Sequence, residues 1–460
     1  GVLSVKGEQG NKYTNKAEGY EAQDTVQPMG TKDYVAYFVP HKSWKGEFGF
    51  DWIRDGELDG GKNGFHYNNY PFEDVIGRYY KEETYENLCD EINSICTKRG
   101  KSFFLQKKSL YEKALSHFDQ YTIPFKNSIA YKDDKIYPIP ILTLLKGEKV
   151  NLSLMIKHKS SKNIPKNISL KLKSNKESEK YLKIFQKELI KIKSPDWKKS
   201  TFYNFEIECT ETFDTMQTLN AYIDGIKSGE LRIHPNSSKY QKQIKVVFIK
   251  VKTAINNEIH IGSIKDGSIE EVKKILKQAL VFPSIIEEPE ELFCDDIEST
   301  TALSDRNTLN ELVLTQNETS IIETLEVKAK KQYKGKYDDY YRMFFIAEDY
   351  RNEKNKEVHF SVKKEKRRIN GEEYNILSSF LFNSYIKTTI VHELLHNMGL
   401  SHTFTSVVDE DGKVPIITYK QGMTDNIMDY TNLERICLYY WQCKNINENI
   451  LFKRSLQWEE

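Results

Sequence analysis

Apolar positions along the chain change their period several times, and each change predicts a different kind of structure. Residues 1–30 are polar and glycine-bearing with almost no apolar period, which reads as a tail or linker. From Asp33 apolar residues gather: Tyr34, Val35, Tyr37, Phe38 and Val39 predict a strand, and Trp44–Ile53 predicts a hairpin. Leu88, Ile92 and Ile95 fall at helical spacing within Tyr79–His117, which predicts a helix there. Residues 31–135 thus read as a small mixed α/β module. From residue 136 to 242 the period is two. Val150, Leu152, Leu154 and Ile156 alternate with polar residues, as do Ile168, Leu170 and Leu172, and Phe205, Ile207 and Cys209. Short alternating strands separated by Pro, Ser and Asn predict an all-β sandwich of immunoglobulin-like type.

Residues 243–460 read differently again. Ile244–Val251 is a dense β-branched run that fits a strand buried on both faces. Ser268-Ile-Glu-Glu271 offers a capping box, with Ile269, Val272, Leu276 and Leu280 following on one helical face. A strand is expected over Met343–Ala347, a turn at Asn370-Gly371, a helix within residues 377–400 and a last helix over Glu434–Ile450. Strand, helix, strand, hairpin and helix in that order predict an α+β domain. The fold class expected for the whole chain is therefore multidomain: a mixed N-terminal module, an all-β sandwich and a C-terminal α+β domain.

Composition removes several classes of function. The 460 residues carry 68 Lys+Arg against 67 Asp+Glu, a formal net charge of +1, which argues against a dedicated nucleic-acid binder. Apolar content is 38%, but 28 Tyr and 23 Phe are enough for a globular chain. No run approaches the roughly 18 apolar residues of a membrane-spanning helix, so no transmembrane segment is expected. Six cysteines with no CxxC spacing point neither to a disulfide scaffold nor to a cysteine metal site. Residues 151–200 hold 14 Lys and 4 acids, and residues 287–298 hold seven acids in twelve positions, both expected as solvated surface.

One segment carries chemistry. Residues 392–402 read His-Glu-Leu-Leu-His-Asn-Met-Gly-Leu-Ser-His. His392 and His396 are four apart, so on a helix they project from one face within reach of a single Zn²⁺. Glu393 follows the first ligand and can reach a water at the metal as general base. Gly399 supplies the left-handed residue that ends a helix, which lets the chain return His402 to the metal as third ligand. Three protein ligands leave a position open, the arrangement of a catalytic zinc. A chance match to this pattern has an expectation on the order of 10⁻⁵ per chain of this composition. No calcium-binding motif accompanies it, so one catalytic Zn²⁺ is the cofactor expected and Ca²⁺ is left without support.

HExxHxxGxxH followed downstream by Asn426-Ile427-Met428-Asp429-Tyr430 resembles the metzincin clan of zinc metallopeptidases. Gly-Leu-Ser-His-Thr-Phe404 with Ile-Met-Asp-Tyr-Thr431 is most similar to its pappalysin-type branch. The resemblance implies a metzincin-like catalytic domain over residues 243–460. It implies His392, His396 and His402 as ligands, Glu393 as general base, Met428 as the methionine of the turn beneath the metal, and Tyr430 as a catalytic tyrosine. The function expected is then zinc-dependent endopeptidase activity on a protein or peptide substrate. The competing expectation is an adhesion or binding protein with a catalytically silent zinc site. Residues 31–242, and Lys45–Arg54 in particular, resemble parts of bacterial secreted effectors, including type VI secretion cargo. That implies docking onto a delivery apparatus or target surface, and a secreted or extracellular toxin-like effector.

Overall fold

The computed structural model describes residues 29–31, 33–54, 70–81, 97–99, 102–123, 136–158, 165–186, 188–191, 200–255, 258–295, 299–303, 310–314, 317–351, 358–362, 365–404, 417–430 and 434–449. It is a mixed, β-rich multidomain fold. Residues 1–28 of the expected tail, and Leu88, Ile92 and Ile95 of the expected helix, lie outside the described residues. Among the described residues no helix is long and apolar enough to cross a membrane.

The first unit is built on two sheets. One is antiparallel throughout, in the order Tyr34–Pro40, Lys149–His158, Ser200–Cys209, Leu182–Ile184. The other runs Glu188–Lys191, Asn167–Leu172, Gln217–Ile223, Ile226–Ile233, Ile141–Thr143, Gly49–Asp51. Phe38, Leu152, Leu154 and Phe205 of the first sheet share one apolar core with Leu170, Leu219, Ala221 and Leu231 of the second. The alternating period shows directly in Asn167–Leu172 and Leu182–Ile184, where every second residue is buried in this core. Gly229 permits a close approach between the two sheets, since a Cβ there would stand 2.4 Å from the Ala36 carbonyl oxygen.

Three local expectations change here. Tyr34–Pro40, grouped by its sequence with a module ending at 135, is an edge strand of the sheet formed by residues 149–158. Gly49–Asp51 is the only strand within Trp44–Ile53, and it pairs with Ile141–Thr143 rather than closing a hairpin. The described parts of Tyr79–His117 are strands at Gly77–Lys81, Thr97–Arg99 and Ser102–Gln106, with a helix only at Lys108–Leu115. Tyr79, Tyr80, Phe103 and Phe104 are aromatic residues of high strand preference that pair across the first and third of these strands.

The second unit centres on the strand Lys242–Ile255. It pairs in parallel with Val281–Glu287, Leu292–Cys294 and Tyr341–Phe345, and Tyr341–Phe345 pairs in parallel with Ser378–Leu381. The short strand Phe360–Ser361 closes that edge antiparallel to Ser378–Leu381. Side chains alternate between two cores: Val246, Phe248, Met343, Phe345 and Leu381 meet the helices Ser268–Lys277 and Lys387–Asn397. Val247, Ile249, Phe344 and Phe380 meet the helix Glu318–Gln332 on the opposite face. Burial on both faces is why the Ile244–Val251 run lacks polar alternation. Asn370 (φ 50°) and Gly371 (φ 88°) form the expected turn between Glu365–Ile369 and Glu372–Ile376. The capping box at Ser268 does not form. Gly267 is the N-cap, and the Ser268 hydroxyl donates back to the Lys265 carbonyl.

The two units are joined by buried charge. Arg54 Nη1 donates to Asp51 Oδ1 at 2.7 Å and to the Trp52 carbonyl at 2.8 Å, and Nη2 lies 3.4 Å from both oxygens of Asp425. The guanidinium sits 3.7 Å above the Trp52 ring, and Asp51 Oδ2 accepts from the Tyr440 amide at 2.7 Å. Arg54 is 3% exposed, so truncating it strands two carboxylates out of water. We predict that Arg54→Ala lowers the unfolding free energy by about 3–5 kcal/mol in denaturant titration. A loss under about 1 kcal/mol, the range of an exposed ion pair, would contradict the buried role.

Candidate metal centre

The helix Lys387–Asn397 is amphipathic toward the sheet. Ile390, Val391, Leu394 and Leu395 enter the core, which leaves His392, Glu393 and His396 to face its open end. Gly399, at φ 93°, ends the helix, and Leu400 to Phe404 turn back beneath it. His402 is thereby brought opposite the helix. The Nε2 atoms of His392, His396 and His402 form a triangle with sides of 3.0, 3.0 and 3.1 Å.

The outer nitrogens fix what the inner ones can do. His392 Nδ1 donates to the Ile427 carbonyl at 2.8 Å, and His396 Nδ1 donates to the Leu400 carbonyl at 2.7 Å. A carbonyl only accepts, so each Nδ1 carries the proton and each neutral ring presents a lone pair at Nε2. Burial, then the two neighbouring imidazoles, holds the His392 pKa well below its usual value, and burial lowers that of His396. Burial, then His396, takes His402 down to about 3. Lone pairs at this spacing repel unless a cation stands among them. Tetrahedral ligation at about 2.0–2.1 Å separates ligand nitrogens by about 3.3 Å, close to the observed triangle. These three residues form a group that can hold a metal ion.

Glu393 is 3% exposed, and its Oε2 accepts from the Ser361 hydroxyl at 2.9 Å. Burial pushes its carboxyl up to about 7, opposed by Ser361 and by the charge of Arg435. A divalent cation at the histidines would draw it down again. Ser361 belongs to the antiparallel edge strand, so sheet edge and carboxylate are directly connected.

No family model matches the chain, and no curated protein matches it.

Beneath the histidines lies the turn 426–430. Asp429 accepts from the Gly422 amide at 2.8 Å, and from the Thr424 amide and hydroxyl at 2.9 and 2.7 Å. Asn426 Oδ1 accepts from the Met428 amide at 2.9 Å, while Asn426 and Gln442 exchange hydrogen bonds at 2.7 and 3.1 Å. This network aims the Ile427 carbonyl at His392 and sets the wholly buried Met428 into the core beside the helix. Tyr430 is half-exposed. Its ring lies 5.4 Å from that of His392 and 4.6 Å from that of His402, and burial, then Glu393, pushes its pKa up to about 12.

All six residues singled out from the sequence therefore meet within one site. Three others escaped it. Arg435 donates to Thr388 Oγ1 at 3.0 Å and to the Asp429 carbonyl at 3.3 Å, bracing the turn against the first turn of the helix. Phe404 stacks on His402 at 8°. Ser361 lies in a two-residue strand with no sequence signal of its own. Asp429 and Asn426 were legible at least as neighbours of Met428. We predict about one equivalent of transition metal on the wild-type chain by elemental analysis after dialysis, retention in Glu393→Gln and loss in His396→Ala. Stoichiometric metal on His396→Ala would overturn the ligand set.

Proposed function

We propose that this protein is a zinc-dependent endopeptidase of the metzincin type. The observation that carries the proposal is the Nε2 triangle held by main-chain acceptors, with a buried carboxylate on the same helix. Neutral imidazoles suit Zn²⁺ among available ions, and three of them leave a position open. His392, His396 and His402 would hold the ion. When bound, Zn²⁺ supplies a Lewis acid that polarises a carbonyl and acidifies water.

The chain's own residues supply the rest. Glu393 takes a proton from the attacking water on its carboxylate and delivers it to the leaving amine nitrogen. Ser361 orients that carboxylate through the hydrogen bond to Oε2. The Tyr430 hydroxyl offers a donor to the oxyanion that develops on the scissile carbonyl. Its ring is held beside His392 and His402, so little reorganisation is required. Phe360–Ser361 is an edge strand, and an extended peptide can add to it by main-chain hydrogen bonds, passing directly over Glu393. Met428 and its turn fix the depth of His392. The two-sheet unit, read as immunoglobulin-like, presents this cleft to a target surface or delivery apparatus, as suits a secreted effector protease.

Incubation with a denatured peptide library, followed by mapping of the cleaved bonds, tests this. Wild type is expected to cut in a chelator-sensitive manner, with Glu393→Gln about 10²–10⁴-fold slower. Tyr430→Phe is expected to lower kcat about tenfold or more with KM little changed. Cleavage by Glu393→Gln at the wild-type rate would sink the assigned base. A metal-loaded wild type that cuts nothing would favour a silent binding protein instead.

A further inference from the structure

A second site lies on the seam between the two units, away from the histidines, and its chemistry is independent of theirs. We propose that it binds a phosphate monoester with a ring-bearing or apolar body. The cavity has a volume of about 370 Å³, within the range of small-molecule sites. One wall is Thr143, His234, Lys239 and Tyr240, with Lys242 at the start of the strand Lys242–Ile255. The other is formed by Gln278–Leu280, after the helix Ser268–Lys277, and by the helix Tyr440–Asn449.

Charge selects the ligand. Lys239, Lys242 and Lys444 line the cavity, with Glu448 the one carboxylate among its lining residues, which leaves an excess of two positive charges. Among the described residues none of the three lysines forms a salt bridge. Each lies against neutral groups, and Lys444 also feels the charges of Glu448 and Asp119. Lys239 lies 5.6 Å over the Tyr240 ring, Lys444 lies 4.5 Å over Tyr440, and Lys242 donates to the Lys239 carbonyl at 3.3 Å. His234 adds no charge. Burial keeps its pKa below the usual value, and its Nδ1 is bound to the Pro235 carbonyl at 2.7 Å.

A phosphate monoester carries about −1.5 to −2 at pH 7, which matches the excess. The cavity offers its positive charge as lysines, compact point charges that commonly bind phosphate, and the match to a doubly negative group rather than the donor geometry favours a phosphate monoester over a carboxylate. Thr143, Gln278 and Asn447 are the uncharged polar members of the lining, and the rest is apolar or aromatic. His234 stands edge-on to both Tyr240 and Tyr440 at 5.6 Å, and Ala279, Leu280 and Cys443 complete the wall. That surface suits a ring attached to the phosphate.

Calorimetry on the full chain with phenyl phosphate, inorganic phosphate and phenol tests both halves. Phenyl phosphate is expected to bind and to raise Tm, at least tenfold more tightly than inorganic phosphate, with phenol silent. Lys242→Gln with Lys444→Gln should weaken phenyl phosphate at least tenfold. Lys239→Gln with Lys242→Gln, which leaves the final helix untouched, should do the same if the first pair perturbs folding. Absence of binding at millimolar phenyl phosphate, or unchanged affinity in both folded double variants, would overturn the site. Inorganic phosphate binding as tightly as phenyl phosphate would overturn the ring-bearing class.

Discussion

Two main-chain carbonyls govern the histidine centre. An imidazole presents its Nε2 lone pair inward only if its proton is held at Nδ1, and in a buried setting that proton needs an acceptor. Leu400 supplies one acceptor and Ile427 the other. The first comes from the chain reversal after Gly399, four residues beyond His396. The second comes from a turn 35 residues beyond His392. The site therefore depends on the packing of two segments, and the network of Asn426, Asp429 and Gln442 keeps the Ile427 carbonyl from drifting. Second-layer groups of this kind commonly change metal affinity by about 10–100-fold when removed, although they never touch the ion.

That turn is itself held by the N-terminal half of the molecule. Asp425, the residue before Asn426, pairs with Arg54, and the Tyr440 amide donates to Asp51. Ile417, Tyr419, Ile436, Cys437 and Tyr439 belong to the same apolar core as the two sheets. Gly77 donates to the Thr418 carbonyl and Lys420 to the Val75 carbonyl, at 3.0 and 2.6 Å. The N-terminal unit is thus a wall of the support beneath the histidines rather than a passenger on a linker. This gives Lys45–Arg54 a structural explanation that competes with a docking role: Trp44, Phe48, Phe50 and Trp52 are buried in that core, and Arg54 is committed to the seam.

What could be read from the sequence follows the range of the interactions involved. The histidine helix, its glycine stop and the Asn370-Gly371 turn are set by residues within about ten positions of one another, and their spacing or φ demands show directly. The continuous Ile244–Val251 run revealed a strand buried on both faces for the same reason. The strand Tyr34–Pro40 was legible as a strand, but its partner at Leu152–His158 is more than a hundred residues away, and no local period encodes that choice. The hairpin expected at Trp44–Ile53 failed likewise: Trp44, Phe48, Phe50 and Trp52 pack on one another, but the strand Gly49–Asp51 takes its partner from the distant Ile141–Thr143.

Arg435 shows the same limit at the functional site. Nothing around it in sequence marks it, because its role comes from contact with Thr388 on the helix and the Asp429 carbonyl on the turn. Burial alone would favour its neutral form, and its pKa is indeed lowered, yet Tyr430, Asp429 and Glu393 oppose that shift. A guanidinium keeps its charge under such conditions where an ammonium can lose it. The cation therefore persists beside Glu393 and favours the carboxylate form that a general base requires. A motif of three histidines and one glutamate is thus an incomplete description of the site. The charge that opposes the cost of burying the glutamate arrives from a segment the motif does not contain.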